Sequence, residues 1–157
     1  MERVYRPGAI GALTDEYERV ALELKNLLST ISQQEFIRIC DPNTKDEDCR
    51  SIQTIMKHVV AAGYRYQDQI CVFLRKAVTP HTYHIYNVFH AIEELEKMIE
   101  TTVETVTDNF KMTEEQILAT RMETRWGLYD IEMMFEHAIV HILRHRRQIE
   151  KFLALQK

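Results

Sequence analysis

The stretch MFEHAIVHILRHRRQIEKFL, residues 134–153, carries a histidine at every fourth position: His137, His141 and His145. Residues four apart on an α-helix differ by only ~40° around the axis and lie one turn apart along it. Ala138, Ile142 and Ile149 fall on the same face, so the segment reads as an amphipathic helix whose apolar stripe includes imidazoles. Asp130 is a suitable N-cap, which predicts a last helix over about 131–155.

The same three-four rhythm recurs upstream. Leu13, Tyr17, Val20, Leu24 and Leu27 or Leu28 mark a first helix over roughly 9–30. Ile52, Ile55, Val59, Ala62, Tyr66, Ile70 and Phe73 mark a second, from Ser51 to about Ala77. Ile85, Val88, Phe89, Ile92, Leu95, Ile99, Val103, Val106 and Phe110 mark a third. Thr79 is a candidate cap for that helix, with Pro80 in the first turn; Asn87 is a later candidate start, because TYHIY also suits a loop. DPNTKDED is a turn cluster containing a capping-box spelling, Thr44 to Glu47. A second such spelling, Thr113 to Gln116, opens a short helix near 114–121, and METRWGLYD then breaks the pattern. Only four glycines and three prolines punctuate the chain, so turns are few. The expectation is a single all-α domain over residues 1–157: a four-helix bundle with one short extra helix before the last long helix, and no strand.

The chain has 157 residues, long enough to bury a core without covalent staples. Apolar residues make up 45% and charged residues 28%, as in soluble globular proteins, and the formal charge of -4 supplies no global field for nucleic acid or anionic membrane. Arg144, Arg146 and Arg147 form a local basic run, read as a solvated helix end that complements the helix dipole, with an anion contact as the functional alternative. Cys40, Cys49 and Cys71 include no C-x-x-C pair and are odd in number, which fits free thiols in a reducing cytoplasm; a metal or redox role for Cys40 and Cys49 is the alternative. MERVYRPGAI lacks the apolar centre of a signal peptide, and no run of about 18 apolar residues suggests a transmembrane helix.

His141 and His145 point the same way and are close enough to grip one ion; the alternatives are pairing with carboxylates or a wet helix edge. A further ligand must come from another element. His58, between Ile55, Val59 and Ala62, is the best candidate; His81 and His84 are expected to face water, and His90 to border the core. A zincin would spell H-E-x-x-H, but the segment reads His137-Ala138-Ile139-Val140-His141. A di-iron bundle needs Glu three positions before a histidine, and no histidine here has one. A mononuclear three-histidine site with open positions is what remains.

SIQTIMKHVVAAGYRYQDQI, followed far downstream by HILRHRRQIEKFL, resembles the DinB-like superfamily of four-helix-bundle metalloproteins. His58 matches that family's histidine early in its second helix, and His141, His145, Arg146, Gln148 and Ile149 match H-x-x-x-H-R-x-Q-I on its last. The resemblance covers essentially the whole chain in helix order and length. It implies that His58, His141 and His145 hold a divalent ion, with water or substrate completing the shell. It leaves His137 as an extra member of the stripe, either beside the ligands, against substrate, or a hydrogen-bonded helix-edge residue. One departure stands out: Arg147 occupies a position where the family commonly has Gly, which removes support for any close helix contact or dimer surface there.

Three neutral nitrogens suit Zn or Ni, with Fe or Cu as further choices. An open position on such an ion lowers the pKa of bound water or holds a thiolate. By resemblance, the expected function is a metal-dependent thiol S-transferase or hydrolase acting on a small molecule, with a low-molecular-weight thiol as possible co-substrate and a homodimer as the assembly. The alternatives are a non-catalytic bundle in which the ion ties helices together or supports a dimer, and an empty site. No general acid or base stands out. Glu136 is about 140° round the helix from His141 and should face away. Tyr66 could line a cavity or pack in the core, and Trp126 could close a pocket or act as an apolar plug.

Overall fold

The computed structural model describes residues 4–155. The first three residues of MERVYRPGAI lie outside them, as does any signal-peptide reading that depends on those residues. The described chain is mostly helical. It contains α1 (Gly8–Leu28), α2 (Gln33–Ile37), α3 (Ile52–Phe73), α4 (Val88–Val106), α5 (Glu114–Leu118) and α6 (Ile131–Ala154), with one small antiparallel sheet of β1 (Met122–Thr124) and β2 (Gly127–Tyr129). No helix among the described residues is long and apolar enough to cross a membrane.

Local chemistry explains most boundaries. α3 starts at a reciprocal capping box in which the Ser51 hydroxyl accepts from the Thr54 amide at 3.1 Å and the Ser51 amide donates to the Thr54 hydroxyl at 3.0 Å. It ends before Ala77, the expected limit, because Arg75 takes a left-handed conformation (φ 55°) and the Lys76 amide donates to the Cys71 carbonyl at 2.8 Å. This is a Schellman closure built on arginine instead of the usual glycine. α4 begins after Asn87, the later of the two candidate starts; the Asn87 side chain accepts from the His90 amide at 2.8 Å, and residues 74–87 are not helical. Thr113 and Gln116 form the expected box at α5. The Thr44–Glu47 box does not form: Asp46 caps a 3-10 turn, Glu47–Cys49, instead.

Two features were not expected. α2 is a short helix with its own Ser32–Glu35 capping box. METRWGLYD folds as a hairpin pairing Met122 with Tyr129, Glu123 with Leu128 and Thr124 with Gly127. Gly127 there adopts φ +111°, a conformation that favours glycine. Strands of three residues are too short to show alternation. The hairpin is closed at its base by Asp130, which is buried, caps the Met133 amide at 3.0 Å and accepts from Arg121 at 2.7 Å.

The four long helices pack pairwise: α1 on α6, α6 on α3, α3 on α4, and α4 on α1. Tyr17, Val20 and Leu24 of α1, Ile55, Val59 and Ile70 of α3, Leu95 and Met98 of α4, and Phe135, Ala138 and Ile142 of α6 are buried between them. Phe89 departs from its expected place on the α4 stripe and is 64% exposed. α3 packs tightly on α4 at Gly63, where a Cβ would sit 2.5 Å from the Met98 sulfur. Gly63→Val is therefore expected to destabilise the fold by roughly 1–3 kcal/mol through overpacking. Thermal unfolding should show a Tm lower by several degrees, and an unchanged Tm would mean that the two helices do not pack this closely.

Candidate metal centre

α3 and α6 carry the site. His58 follows Ile55 by one turn on α3, and His141 and His145 interrupt the apolar row Ala138, Ile142, Ile149 on α6. Packing of these rows brings the three imidazoles together: one ring nitrogen from each of His58, His141 and His145 lies within 4.8 Å of the others. The Nε2 atoms of His58 and His141 are 3.0 Å apart, and the His141 and His145 ring centres 4.5 Å apart. His141 and His145 are buried, and His58 is half-buried.

The outward nitrogens are engaged. His58 Nδ1 is 3.0 Å from Asp48 Oδ2, and His145 Nδ1 is 3.1 Å from Gln148 Oε1. A carboxylate and an amide oxygen only accept, so each Nδ1 carries its proton and each Nε2 presents a lone pair inward. Gln148 is oriented in turn by the Cys49 thiol, which donates to Oε1 at 3.7 Å and also contacts Asp46 at 3.3 Å. The 3-10 turn Glu47–Cys49 thus braces the centre from one side, through Asp48 and Cys49.

Electrostatics keep the imidazoles on α6 neutral. Burial, helped by His145, His58, His137 and Arg144, holds His141 down to about 3. His145 and His137 are lowered as well, in both cases chiefly by burial. Neutral imidazole is the form that coordinates a metal. The donor set fits a divalent ion, because two nitrogens each ~2.0–2.1 Å from one tetrahedral ion lie roughly 3.3 Å apart. Without a cation, the 3.0 Å contact between His58 and His141 requires a single proton between them, donated by His141 Nε2.

Other histidines lie elsewhere. His137 contacts the Tyr129 hydroxyl at 3.0 Å through Nδ1 and is not part of the cluster. His81, expected to face water, is half-buried against Asp68 at 2.8 Å and stacks on Tyr64. His84 is exposed beside Tyr86, and His90 is half-buried. Tyr66 is buried against His141, His137 and Trp126, so the tyrosine and the tryptophan both flank the centre. Sequence reasoning missed Asp48 and the contact of Cys49 with Gln148. Asp48 was hidden in a turn-forming acidic run, and only the contact of that turn with α3 reveals its partner. All three cysteines are free.

Two clefts reach the ligand histidines. One, of about 230 Å³, is lined by His141 together with His137, Tyr129 and Met133. The other, of about 500 Å³, is lined by His58 together with Asp48, Tyr83 and Tyr86. Glu136, expected to face away, stands exposed on the rim of the first cleft.

No protein-family model matches the chain, and no curated protein matches it. The donor set and its surroundings are what bear on function.

The depression of His141 has a consequence for metal-free protein. Its folded-state value lies below the ordinary 6.5, so its contribution to stability is complete above about pH 6.5 and is lost as pH falls toward about 3. In chelator-treated protein, Tm is expected to fall from pH 7 to pH 4, with His141 contributing up to about 1.4 kcal/mol per pH unit. His141→Gln should flatten that slope. An identical slope in the variant would show that this imidazole is not held neutral by its surroundings.

Proposed function

We propose that the four long helices form a DinB-like four-helix bundle, that His58, His141 and His145 bind a single divalent ion, and that the protein is a metal-dependent enzyme acting on a small molecule. Thiol S-transfer or hydrolysis is the reaction class. The observation that carries this reading is the convergence of three inward-facing imidazole nitrogens whose outer nitrogens are already held by Asp48 and Gln148. Metal-ligating histidines characteristically have such an outer partner, which sets the tautomer and aims the ring.

Zn or Ni fits the nitrogen donors best, with Fe and Cu as alternatives. Three neutral ligands would leave the ion's full positive charge to acidify a bound water or hold a thiolate at an open position. The chain's own groups do the rest. Asp48 holds the Nδ1 proton of His58, and Gln148 that of His145. Tyr66 packs against His141 and Trp126, and Tyr129 against His137. Clefts beside His58 and His141 favour a catalytic over a purely structural ion, since a tie between helices needs no access.

Elemental analysis of protein purified without a histidine tag should find about one divalent ion per chain, and His58→Ala and His145→Ala should each abolish it. Asp48→Ala should retain the fold but weaken metal affinity roughly 10–100-fold in competition with a chromophoric chelator. Metal content that survives both histidine changes would overturn the site. For the reaction, metal-loaded protein should accelerate loss of a chloro-aromatic acceptor in the presence of one or more low-molecular-weight thiols. No turnover with any thiol would remove the transferase reading and leave hydrolysis.

A further inference from the structure

The three arginines near the end of α6 do not share one fate. Arg146 pairs with Glu23 on α1 and with Glu150. Arg147 is exposed and lines no cleft described above. Arg144 lines the cleft over His141, and its side chain forms no ion pair or hydrogen bond with a described residue. Its positive charge nevertheless reaches inward, acting on His137, His141, His145 and Tyr66.

Further cations lie on the neighbouring elements. Arg65 on α3 and Arg125 in the hairpin turn also act on Tyr66, and Arg125 lies 5.4 Å over the Trp126 ring. Lys57 and Arg65 line the neighbouring cleft beside His58 and are likewise unpaired. Two carboxylates line these clefts: Asp48, engaged by His58, and Glu136, which pairs with none of these cations. In a chain of net charge -4, Arg144 at the cleft over His141, Lys57 and Arg65 at the neighbouring cleft, and Arg125 over Trp126 form no ion pair with a described residue and bias this side of the molecule positive.

We propose that the cleft over His141 binds a small organic oxyanion, a carboxylate or phosphate on an apolar or aromatic body, with Arg144 as its direct counter-ion. A guanidinium presents a planar fork that suits either group. Met133, Val140 and Tyr129 supply an apolar wall for the body of the ligand. The proposal rests on the metal reading only for the chemistry at the ligand's other end; the anion contact itself uses no metal.

Trp126 is the single tryptophan and sits beside the cleft, so its fluorescence is the readout. Benzoate and inorganic phosphate are titrated into chelator-treated and metal-loaded protein, with benzamide as the uncharged analogue of benzoate. At least one anion is expected to saturate the signal in both forms, and benzamide is not; comparison of the two anions decides between carboxylate and phosphate. Arg144→Gln should weaken the binding about tenfold, as loss of one charged hydrogen bond does, while Arg147→Gln leaves it unchanged. His58→Ala, which tests the metal, should leave anion binding to metal-free protein intact, so failure of one reading is distinguishable from failure of the other. Absence of saturable anion binding, equal effects of Arg144→Gln and Arg147→Gln, or binding that requires metal and ignores Arg144 would overturn the proposal.

Discussion

Lone pairs that face one another across a largely apolar interior repel, and removal from water deprives them of other partners. That constraint governs the centre of this protein. The Asp48 carboxylate and the Gln148 amide oxygen each take an Nδ1 proton, so the Nε2 atoms of His58 and His145 have no proton of their own to share. His141 can donate one proton across the 3.0 Å gap to His58, but it cannot also satisfy His145. Burial opposes the simplest alternative, a second proton that would charge the cluster, and His141 is accordingly held far below an ordinary histidine. A divalent ion would satisfy all three lone pairs at once, so the cluster could hold a metal.

The same constraint explains what the helices must do. His58 belongs to α3 and the other two imidazoles to α6, so the centre exists only if these helices meet with His58 level with His141. Their level is set by buried neighbours: Ile55, Val59 and Ala62 on α3, and Ala138 and Ile142 on α6. Both helices are also fixed at their starts, by the Ser51–Thr54 box and by Asp130 with Arg121. Helix phase thus becomes ligand geometry: moving a histidine by one residue would turn it by ~100° and take its ring out of the cluster.

This is also why part of the site was legible in the sequence and part was not. Spacing alone places His141 and His145 on one face, because they share a helix. His58 required a judgement about which face of α3 is buried, and Ile55, Val59 and Ala62 supplied it. Asp48 and Cys49 reach the centre through a turn whose path no periodicity encodes; the acidic run there reads equally well as solvated loop. The Arg75 stop of α3 and the Met122–Tyr129 hairpin escaped for a related reason. The first uses a left-handed non-glycine residue, and the second has strands shorter than their own repeat. Phe89 shows the opposite failure: it keeps the apolar rhythm yet lies exposed in the first turn of α4.

The hairpin that interrupts the helical pattern also gives the centre its asymmetry. It carries Trp126 and Tyr129 to His137, and Arg125 to the Trp126 ring, so the His141 side of the cluster has an aromatic and cationic wall. The His58 side has a different one, with Asp48, Lys57, Arg65 and two tyrosines. A purely structural ion would gain nothing from either opening, because water reaching the shell competes with the ligands. Unpaired arginines beside the openings add further cost, since like charges there oppose a bound cation. That cost is offset if an anion arrives to occupy the cleft, when the ion and Arg144 act together on one ligand. The charge beside the histidines is therefore one that the proposed anion would complement, with Arg144 as the group that meets it.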